Sequence, residues 1–121
     1  MRILVVDDYP TMRRILRNLL TQIGYKEIEE AGDGTEALGK LRAGRHDLVI
    51  SDWNMEPMSG LQLLKEVRAG SDEVSKVPFI MVTAESKTEN VLEAKKAGAN
   101  NYIVKPFNAE TLKAKIGQVI N

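Results

Sequence analysis

The chain has 121 residues, enough to bury one hydrophobic core, and we expect a single domain over residues 1–121 without a separate effector unit. Lysine and arginine together number 17, as do aspartate and glutamate, so the formal net charge is zero and no broad attraction to nucleic acid or to an anionic membrane is expected. The lack of cysteine excludes disulfides, thiolate chemistry and zinc sites built on sulfur.

Short apolar runs predict the strands. Residues 3–6, 48–50 and 79–82 lack polar alternation, which is typical of strands buried on both faces in the middle of a parallel sheet. Residues 26–31 carry three glutamates and suit an edge strand. Residues 101–104 form a short fifth strand.

Segments with apolar residues at helical spacing alternate with these strands. Pro10 suits the first turn of the first helix, which Gly24 ends, and further helices are expected at residues 35–43, 60–68 and 87–97 and after a capping Asn108. The fourth helix has a thin apolar stripe, which predicts loose packing. The residues expected to face the core are Met12, Ile15, Leu16, Leu19, Leu20, Ile23, Ala37, Leu38, Leu41, Leu61, Leu64, Val67, Val91, Leu92, Ala94, Ala97, Leu112, Ile116, Val119 and Ile120.

Five strands that alternate with five helices through short connections predict an α/β protein. The expected architecture is a (βα)5 doubly wound, five-stranded parallel sheet, covered by helices on both faces, with right-handed crossovers. A barrel of eight such units would need about twice the length.

Polar side chains follow the apolar runs. Because the strands of a parallel sheet point the same way, the residues at their carboxyl ends gather on one edge: Asp7, Asp8, Asp52, Thr83 and Lys105. Each alone is more often a helix cap or a solvated side chain. Together they form a complementary set of carboxylates, a hydroxyl and an ammonium group.

Three crowded carboxylates repel, so we expect one of them to have a raised pKa. A hard divalent cation relieves this repulsion, and an oxygen-only site with few protein ligands favours Mg²⁺. The set fits phosphoryl transfer onto an aspartate, with Asp52 as the nucleophile and Lys105 neutralising the phosphoryl oxygens. Thr83 would donate a hydrogen bond to the phosphoryl group.

Four motifs carry a family resemblance: Leu4-Val5-Val6-Asp7-Asp8, Ser51-Asp52-Trp53-Asn54-Met55, Val82-Thr83-Ala84 and Tyr102-Ile103-Val104-Lys105-Pro106-Phe107. With them the whole chain resembles the receiver domains of two-component response regulators, and within that family the stand-alone, CheY-like chemotaxis regulators. The resemblance implies a flavodoxin-like fold with strand order 2-1-3-4-5. It also implies that a phosphohistidine on a sensor histidine kinase phosphorylates Asp52, with small phosphodonors as substitutes.

The resemblance further implies roles for particular residues. Asp7, Asp8, Asp52 and the backbone carbonyl of Asn54 would form the metal site, and the Lys105–Pro106 peptide bond would be cis.

A coupled switch is implied as well. Thr83 would move toward the phosphoryl group while the ring of Tyr102 turns inward, and residues 87–97, the fifth strand and the last helix would form the output surface. In one place the chain departs from the family pattern: Glu56 stands where the family usually has proline, and Pro57 follows. The path of this loop and the choice of phosphodonor are therefore expected to differ.

The implied protein is a regulatory phosphoacceptor that assists its own phosphotransfer and dephosphorylation, rather than an enzyme acting on a separate substrate. Its expected partners are the kinase, a target such as a flagellar motor switch protein, and a phosphatase, with neither nucleic acid nor membrane involved. We expect a monomer, and a cytoplasmic one, since no stretch resembles a signal peptide or a membrane span.

Alternatives remain open at this stage. Within the family they are a phosphate sink or a phosphorelay intermediate. Outside it, a Mg²⁺-dependent phosphohydrolase would need a second aspartate two residues after Asp52, where Asn54 stands. A phosphorylation-independent interaction module would need an incomplete acidic set.

Three further features have plainer interpretations. Trp53 is expected to be a partly buried aromatic wall of the site, and His46 a solvated loop residue. Arg13, Arg14 and Arg17 are expected to form a solvated basic face, with kinase docking as the alternative.

Overall fold

The computed structural model of the chain describes residues 1–70, 73–84 and 87–120. Its strands are β1 (Arg2–Val6), β2 (Glu27–Ala31), β3 (Leu48–Asp52), β4 (Phe79–Thr83) and β5 (Asn101–Val104). Its helices are α1 (Pro10–Ile23), α2 (Gly34–Ala43), α3 (Gly60–Ala69), α4 (Thr88–Ala97) and α5 (Ala109–Ile120), with a short 3-10 turn at Val74–Lys76.

The five strands form one parallel sheet in the order β2-β1-β3-β4-β5. This confirms the predicted α/β class, the flavodoxin-like strand order and the edge position of the glutamate-rich β2. The apolar runs in β1, β3 and β4 are fully buried, as the missing polar alternation predicted.

The sheet separates two apolar clusters because successive residues of a strand point to opposite faces. On one face, Leu4, Val49, Phe79 and Met81 pack with apolar residues of α2 and α3. On the other face, Ile3, Ile50, Ile80 and Ile103 pack with apolar residues of α1 and α5.

The helix starts follow the capping chemistry of the sequence. Pro10 lies in the first turn of α1. Asn108 Oδ1 accepts a hydrogen bond from the amide of Thr111 at 2.9 Å, which confirms the predicted cap of α5. Within residues 1–70, 73–84 and 87–120, no helix is long and apolar enough to cross a membrane.

The predicted helix faces are mostly confirmed, but two residues were placed wrongly. Ile15 is 44% exposed and Leu92 is 51% exposed. In α3 the fully buried leucines are Leu63 and Leu64, while Leu61 is only partly buried.

Arg68 connects the end of α3 to the far end of α4. Its guanidinium donates to the carbonyl of Gly98 from Nε (3.1 Å) and Nη2 (2.8 Å), and to the carbonyls of Ser75 (3.0 Å) and Val77 (2.7 Å) from Nη1. Gly98 has a φ of +109°, and a Cβ atom there would lie 2.8 Å from Arg68 Nε. The C-terminal end of α4 is therefore held by hydrogen bonds from the Arg68 side chain to its backbone, next to the apolar contacts of Ala97 and Ala99.

Candidate functional site

Three carboxylates meet at the carboxyl edge of the sheet. Asp7 directly follows β1 and is buried, Asp52 is the last residue of β3 and is also buried, and Asp8 is exposed. Each offers one oxygen, and these oxygens all lie within 4.8 Å of one another. The structure therefore brings together the three acidic residues that the sequence placed at strand ends.

Asp7 is held through its backbone and one carboxylate oxygen. Its amide donates to the carbonyl of Ala31 at 3.2 Å, and its Oδ1 accepts from the amide of Tyr9 at 3.0 Å. Its carbonyl accepts a 2.6 Å hydrogen bond from Arg13 Nη1. The second carboxylate oxygen, Oδ2, is buried and has no hydrogen-bond partner among the described residues.

The electrostatics of Asp7 follow from this position. Burial is the largest effect and raises the pKa of its carboxyl above the ordinary 3.8, the Tyr9 amide opposes this, and the charge of Asp52 raises it further. This confirms that one member of the crowded set has a raised pKa, although desolvation contributes more than repulsion.

Lys105 lies against the two buried carboxylates. Its Nζ is 3.1 Å from Asp52 Oδ1 and 3.9 Å from Asp7 Oδ2. Its amide donates to the carbonyl of Thr83 at 2.8 Å, which fixes the end of β5 beside the end of β4. The Lys105–Pro106 peptide bond is cis.

Thr83 and Tyr102 lie on the same face of the sheet. Thr83 is buried and pairs with Val104, and Tyr102 precedes Val104 by two residues. The Tyr102 ring is partly buried, with Lys115 Nζ 4.6 Å and Lys95 Nζ 5.9 Å from its centroid.

The loop after β3 forms one wall of the site. Trp53 is partly buried and packs against the apolar cluster on the α3 side, as predicted, while Asn54 is exposed. With Asp8, Glu56 and other loop residues they line an open cavity of about 330 Å³. The Glu56–Pro57 peptide bond is also cis, at the position where the sequence departs from the family pattern.

The residues present fit a hard divalent cation. The cluster offers oxygen ligands only, and it includes a buried carboxylate oxygen without a hydrogen-bond partner among the described residues, an arrangement that often marks a site for an ion. The neighbouring ammonium of Lys105 compensates part of the negative charge.

His46 contradicts the prediction of a solvated loop residue. Its side chain is only 1% exposed, and its Nε2 lies 2.5 Å from Oε1 of Glu29. This contact is the main reason why the pKa of Glu29 is lowered. His46 precedes β3 at the end opposite to Asp52, and Glu29 lies in the edge strand β2. The histidine is therefore not part of the site.

Arg13 also contradicts the prediction of a solvated face on α1, because its side chain is only 19% exposed. Arg13 and Arg17 bind the carboxylate of Glu30, with Nε to oxygen distances of 3.1 and 2.7 Å, while Arg17 stays 41% exposed and Arg14 is exposed as expected. The contact of Arg13 with Asp7 was not predicted from the sequence. The only signal for it was the pairing of a basic helix with an acidic edge strand.

Comparison with known proteins fits this geometry. The chain belongs to the response regulator receiver domain family, which residues 3–117 match. It is 50% identical over 119 residues to chemotaxis protein CheY-3 of Vibrio cholerae, a match that covers 98% of this chain and 91% of that protein. It is 49% identical to chemotaxis protein CheY of Pseudomonas aeruginosa, with 98% of this chain and 95% of that protein covered.

Solved structures give the same result. Chemotaxis protein CheY4 of Vibrio cholerae superposes with a TM-score of 0.89 at 40% identity, and the match covers 98% of this chain and 97% of that one. Response regulator protein TrrA of Thermotoga maritima, in complex with Mg²⁺-BeF, superposes with a TM-score of 0.83 at 41% identity, with 97% and 96% covered.

Proposed function

We propose that this protein is a two-component phosphoacceptor switch in which a sensor histidine kinase phosphorylates Asp52 in a Mg²⁺-dependent reaction. The observation that carries the proposal is the position of Lys105, whose Nζ is 3.1 Å from Asp52 Oδ1 and 3.9 Å from Asp7 Oδ2, an oxygen without a hydrogen-bond partner among the described residues. The Mg²⁺-BeF complex of the related TrrA supports the same assignment.

The chain's own residues define the chemistry. An ionised Asp52 oxygen attacks the phosphorus of a phosphohistidine whose other ring nitrogen carries a proton. The P–N bond breaks, its electron pair stays on the nitrogen, and the neutral imidazole leaves, so that an acyl phosphate forms on Asp52. Lys105 compensates the charge of the phosphoryl oxygens, and Thr83 donates a hydrogen bond to one of them. Asp7, Asp8, Asp52 and the carbonyl of Asn54 would hold Mg²⁺, which neutralises charge on the transferring group.

The output step belongs to the same proposal. Thr83 moves toward the phosphoryl group and Tyr102 turns inward, which alters the surface formed by α4, β5 and α5. The positions of both side chains on one sheet face support this coupling. Converting a mostly inactive ensemble to a mostly active one requires about 5 kcal/mol of preference for the active state. A phosphoryl group with about two negative charges beside Lys105 can supply a large part of it.

We further propose a role in chemotaxis, because the relatives at about half identity are chemotaxis proteins. The target is then a flagellar motor switch protein, and the switch is a cytoplasmic, monomeric, single domain at residues 1–121. A role as phosphate sink or relay intermediate is distinguished by measuring affinity for the motor switch protein with and without Mg²⁺ and BeF3⁻. A phosphate sink or relay intermediate should show no gain in affinity for the motor switch protein when Mg²⁺ and BeF3⁻ are added.

The acceptor is tested by intact-mass measurement after incubation with Mg²⁺ and a small acyl phosphate. We expect the native chain to gain one phosphoryl group and Asp52→Asn to gain none. Asp47→Asn is the matched control, because Asp47 precedes the same strand at its opposite end and accepts from the amide of Arg2. Equal labelling of native chain and Asp52→Asn would disprove the assignment.

A further inference from the structure

We propose that Arg13 is a positioning residue for the metal site, and that it acts by fixing the peptide unit that joins Asp7 and Asp8. This inference rests on the proposed function, since it assigns a role toward the proposed Mg²⁺ ligands. Arg13 itself is not a ligand, because its guanidinium carries a positive charge and contacts the backbone of Asp7.

The contact is specific. Arg13 lies on the first turn of α1, is largely buried, and donates from Nη1 to the carbonyl oxygen of Asp7 at 2.6 Å. That oxygen belongs to the planar peptide group whose nitrogen is the amide of Asp8. One hydrogen bond therefore constrains the orientation of the peptide group that joins Asp7 and Asp8, two residues of the proposed site.

Glu30 holds the guanidinium in place. Its Oε1 accepts from Arg13 Nε at 3.1 Å, and its Oε2 accepts from Arg17 Nε at 2.7 Å. Arg17 Nη2 also donates to the carbonyl of Ile28 at 2.9 Å. Glu30 is paired with Val5 in the sheet, two residues before Asp7. The guanidinium of Arg13 thus connects α1, β2 and the end of β1.

The remaining contacts of Asp7 explain why this constraint matters. Oδ1 is held by the amide of Tyr9, and Oδ2 is the oxygen left for a cation. If the peptide between Asp7 and Asp8 rotates, the direction of Oδ2 and the position of Asp8 change together. Groups that orient metal ligands typically affect metal affinity 10–100-fold.

A purely electrostatic effect of Arg13 and a positioning effect predict opposite changes in Mg²⁺ affinity when the guanidinium is removed. The direction of the change therefore tests the proposal. Removing a positive charge near an acidic cluster should tighten the binding of a cation. Losing the positioning contact should weaken it. A variant without the Arg13 guanidinium therefore separates the two effects.

The test is a Mg²⁺ titration of the intact chain, followed by the fluorescence of Trp53, the only tryptophan. We expect Arg13→Ala to raise the Kd for Mg²⁺ about tenfold. Arg14→Ala, which removes an exposed charge from the same helix, should leave the Kd unchanged or slightly lower it. Arg17→Ala, which removes the other partner of Glu30, should raise the Kd less than Arg13→Ala does.

Arg13→Lys provides a second variant that preserves folding and charge. A lysine can donate to the Asp7 carbonyl but cannot also bind Glu30 in the same planar geometry, so its Kd should lie between those of native chain and Arg13→Ala. Urea unfolding of each variant shows whether it is folded under the conditions of the Mg²⁺ titration.

The metal site and the positioning role of Arg13 can be refuted separately. A native chain that does not respond to Mg²⁺ would refute the metal site itself. A native chain that binds Mg²⁺, together with Arg13→Ala and Arg13→Lys variants that bind it equally well or more tightly, would refute the positioning role alone.

Discussion

Asp7 is the residue at which the proposed site opposes the stability of the fold. It is buried, one of its oxygens lacks a hydrogen-bond partner among the described residues, and its pKa is raised chiefly by burial. Such a buried carboxylate lowers the free energy of unfolding of the metal-free protein once it ionises, because its charge is incompletely compensated.

We therefore expect Asp7→Asn to increase the free energy of unfolding at neutral pH, by on the order of 1 kcal/mol, in the absence of divalent cations. The amide side chain keeps an acceptor for the Tyr9 amide without the buried charge. The measurement is urea denaturation with a chelator present. Asp8→Asn, at the exposed neighbour, should change the stability less.

The pH dependence follows from the direction of the Asp7 pKa shift. Because the folded pKa is raised, the folded state binds the proton more tightly than the unfolded state does, and the native chain loses stability as pH rises from 3.8 through the raised value. The advantage of Asp7→Asn should thus be full above that window and shrink as pH falls through it. An advantage that grew toward acid pH would contradict the assignment.

Some residue contacts could not have been predicted from the sequence. The strand-end set was predictable because parallel strands must bring their carboxyl ends together. The pairs of His46 with Glu29 and of Arg13 with Glu30 depend on which helix covers which strand, since 17 residues separate each pair. Local pattern assigned these side chains to solvent.

Gly60 shows how an element can depend on one missing side chain. The helix α3 begins where a Cβ atom on Gly60 would lie only 2.1 Å from the carbonyl oxygen of Asp52 and 2.9 Å from Trp53 Cα. The amide of Gly60 donates to the carbonyl of Trp53 at 2.8 Å. The start of α3 is therefore packed directly against the backbone of Asp52 and Trp53 at the end of β3.

We expect Gly60→Ala to lower the free energy of unfolding by about 3 kcal/mol or more, since backbone atoms must move to admit the methyl group. Gly39→Ala is the matched control, because Gly39 is exposed within α2 and a Cβ atom there would meet nothing within 4 Å. That change should stabilise the protein by about 0.5–1 kcal/mol. Similar effects of the two substitutions in thermal unfolding would contradict this account.

The helices and strands were largely predictable from the sequence. Which side of a helix faces the core was less predictable. Strands buried on both faces leave no polar position, so residues 48–50 could be assigned from composition alone. In α3 the helical spacing allowed several inward faces. The contact of Gly60 with Asp52 depends on the path of the short loop between them, and the buried leucines of α3 are Leu63 and Leu64.

Across the whole molecule, burial is uneven. The strands β1, β3 and β4 are almost wholly buried, whereas Ala94 is the one buried residue among those described for α4. The thin apolar stripe in the sequence predicted this. Local opening is easiest where apolar contacts are few.

We expect amide hydrogen exchange to report this difference directly. Amides of α4 should open with a free energy lower than those of β3 by about 2 kcal/mol or more. The comparison helix is α3, which has the same length of 10 residues and buries Gly60, Leu63, Leu64 and Val67. Amides of α4 that exchange as slowly as those of α3 would contradict uneven local stability.

The hydrogen bonds from Arg68 to Gly98 fix one end of α4, about which the helix can tilt. The helix is held at its C-terminal end, while Lys87 and Asn90 at the other end border an open cavity beside Thr83. A helix of ten residues is about 15 Å long, so a tilt of about 5° about the fixed end moves the free end by about 1 Å. In the proposed switch, a displacement of Thr83 would change the angle of α4. If phosphorylation of Asp52 changes the affinity for a partner by some factor, binding of that partner must change the phosphorylation equilibrium by the same factor.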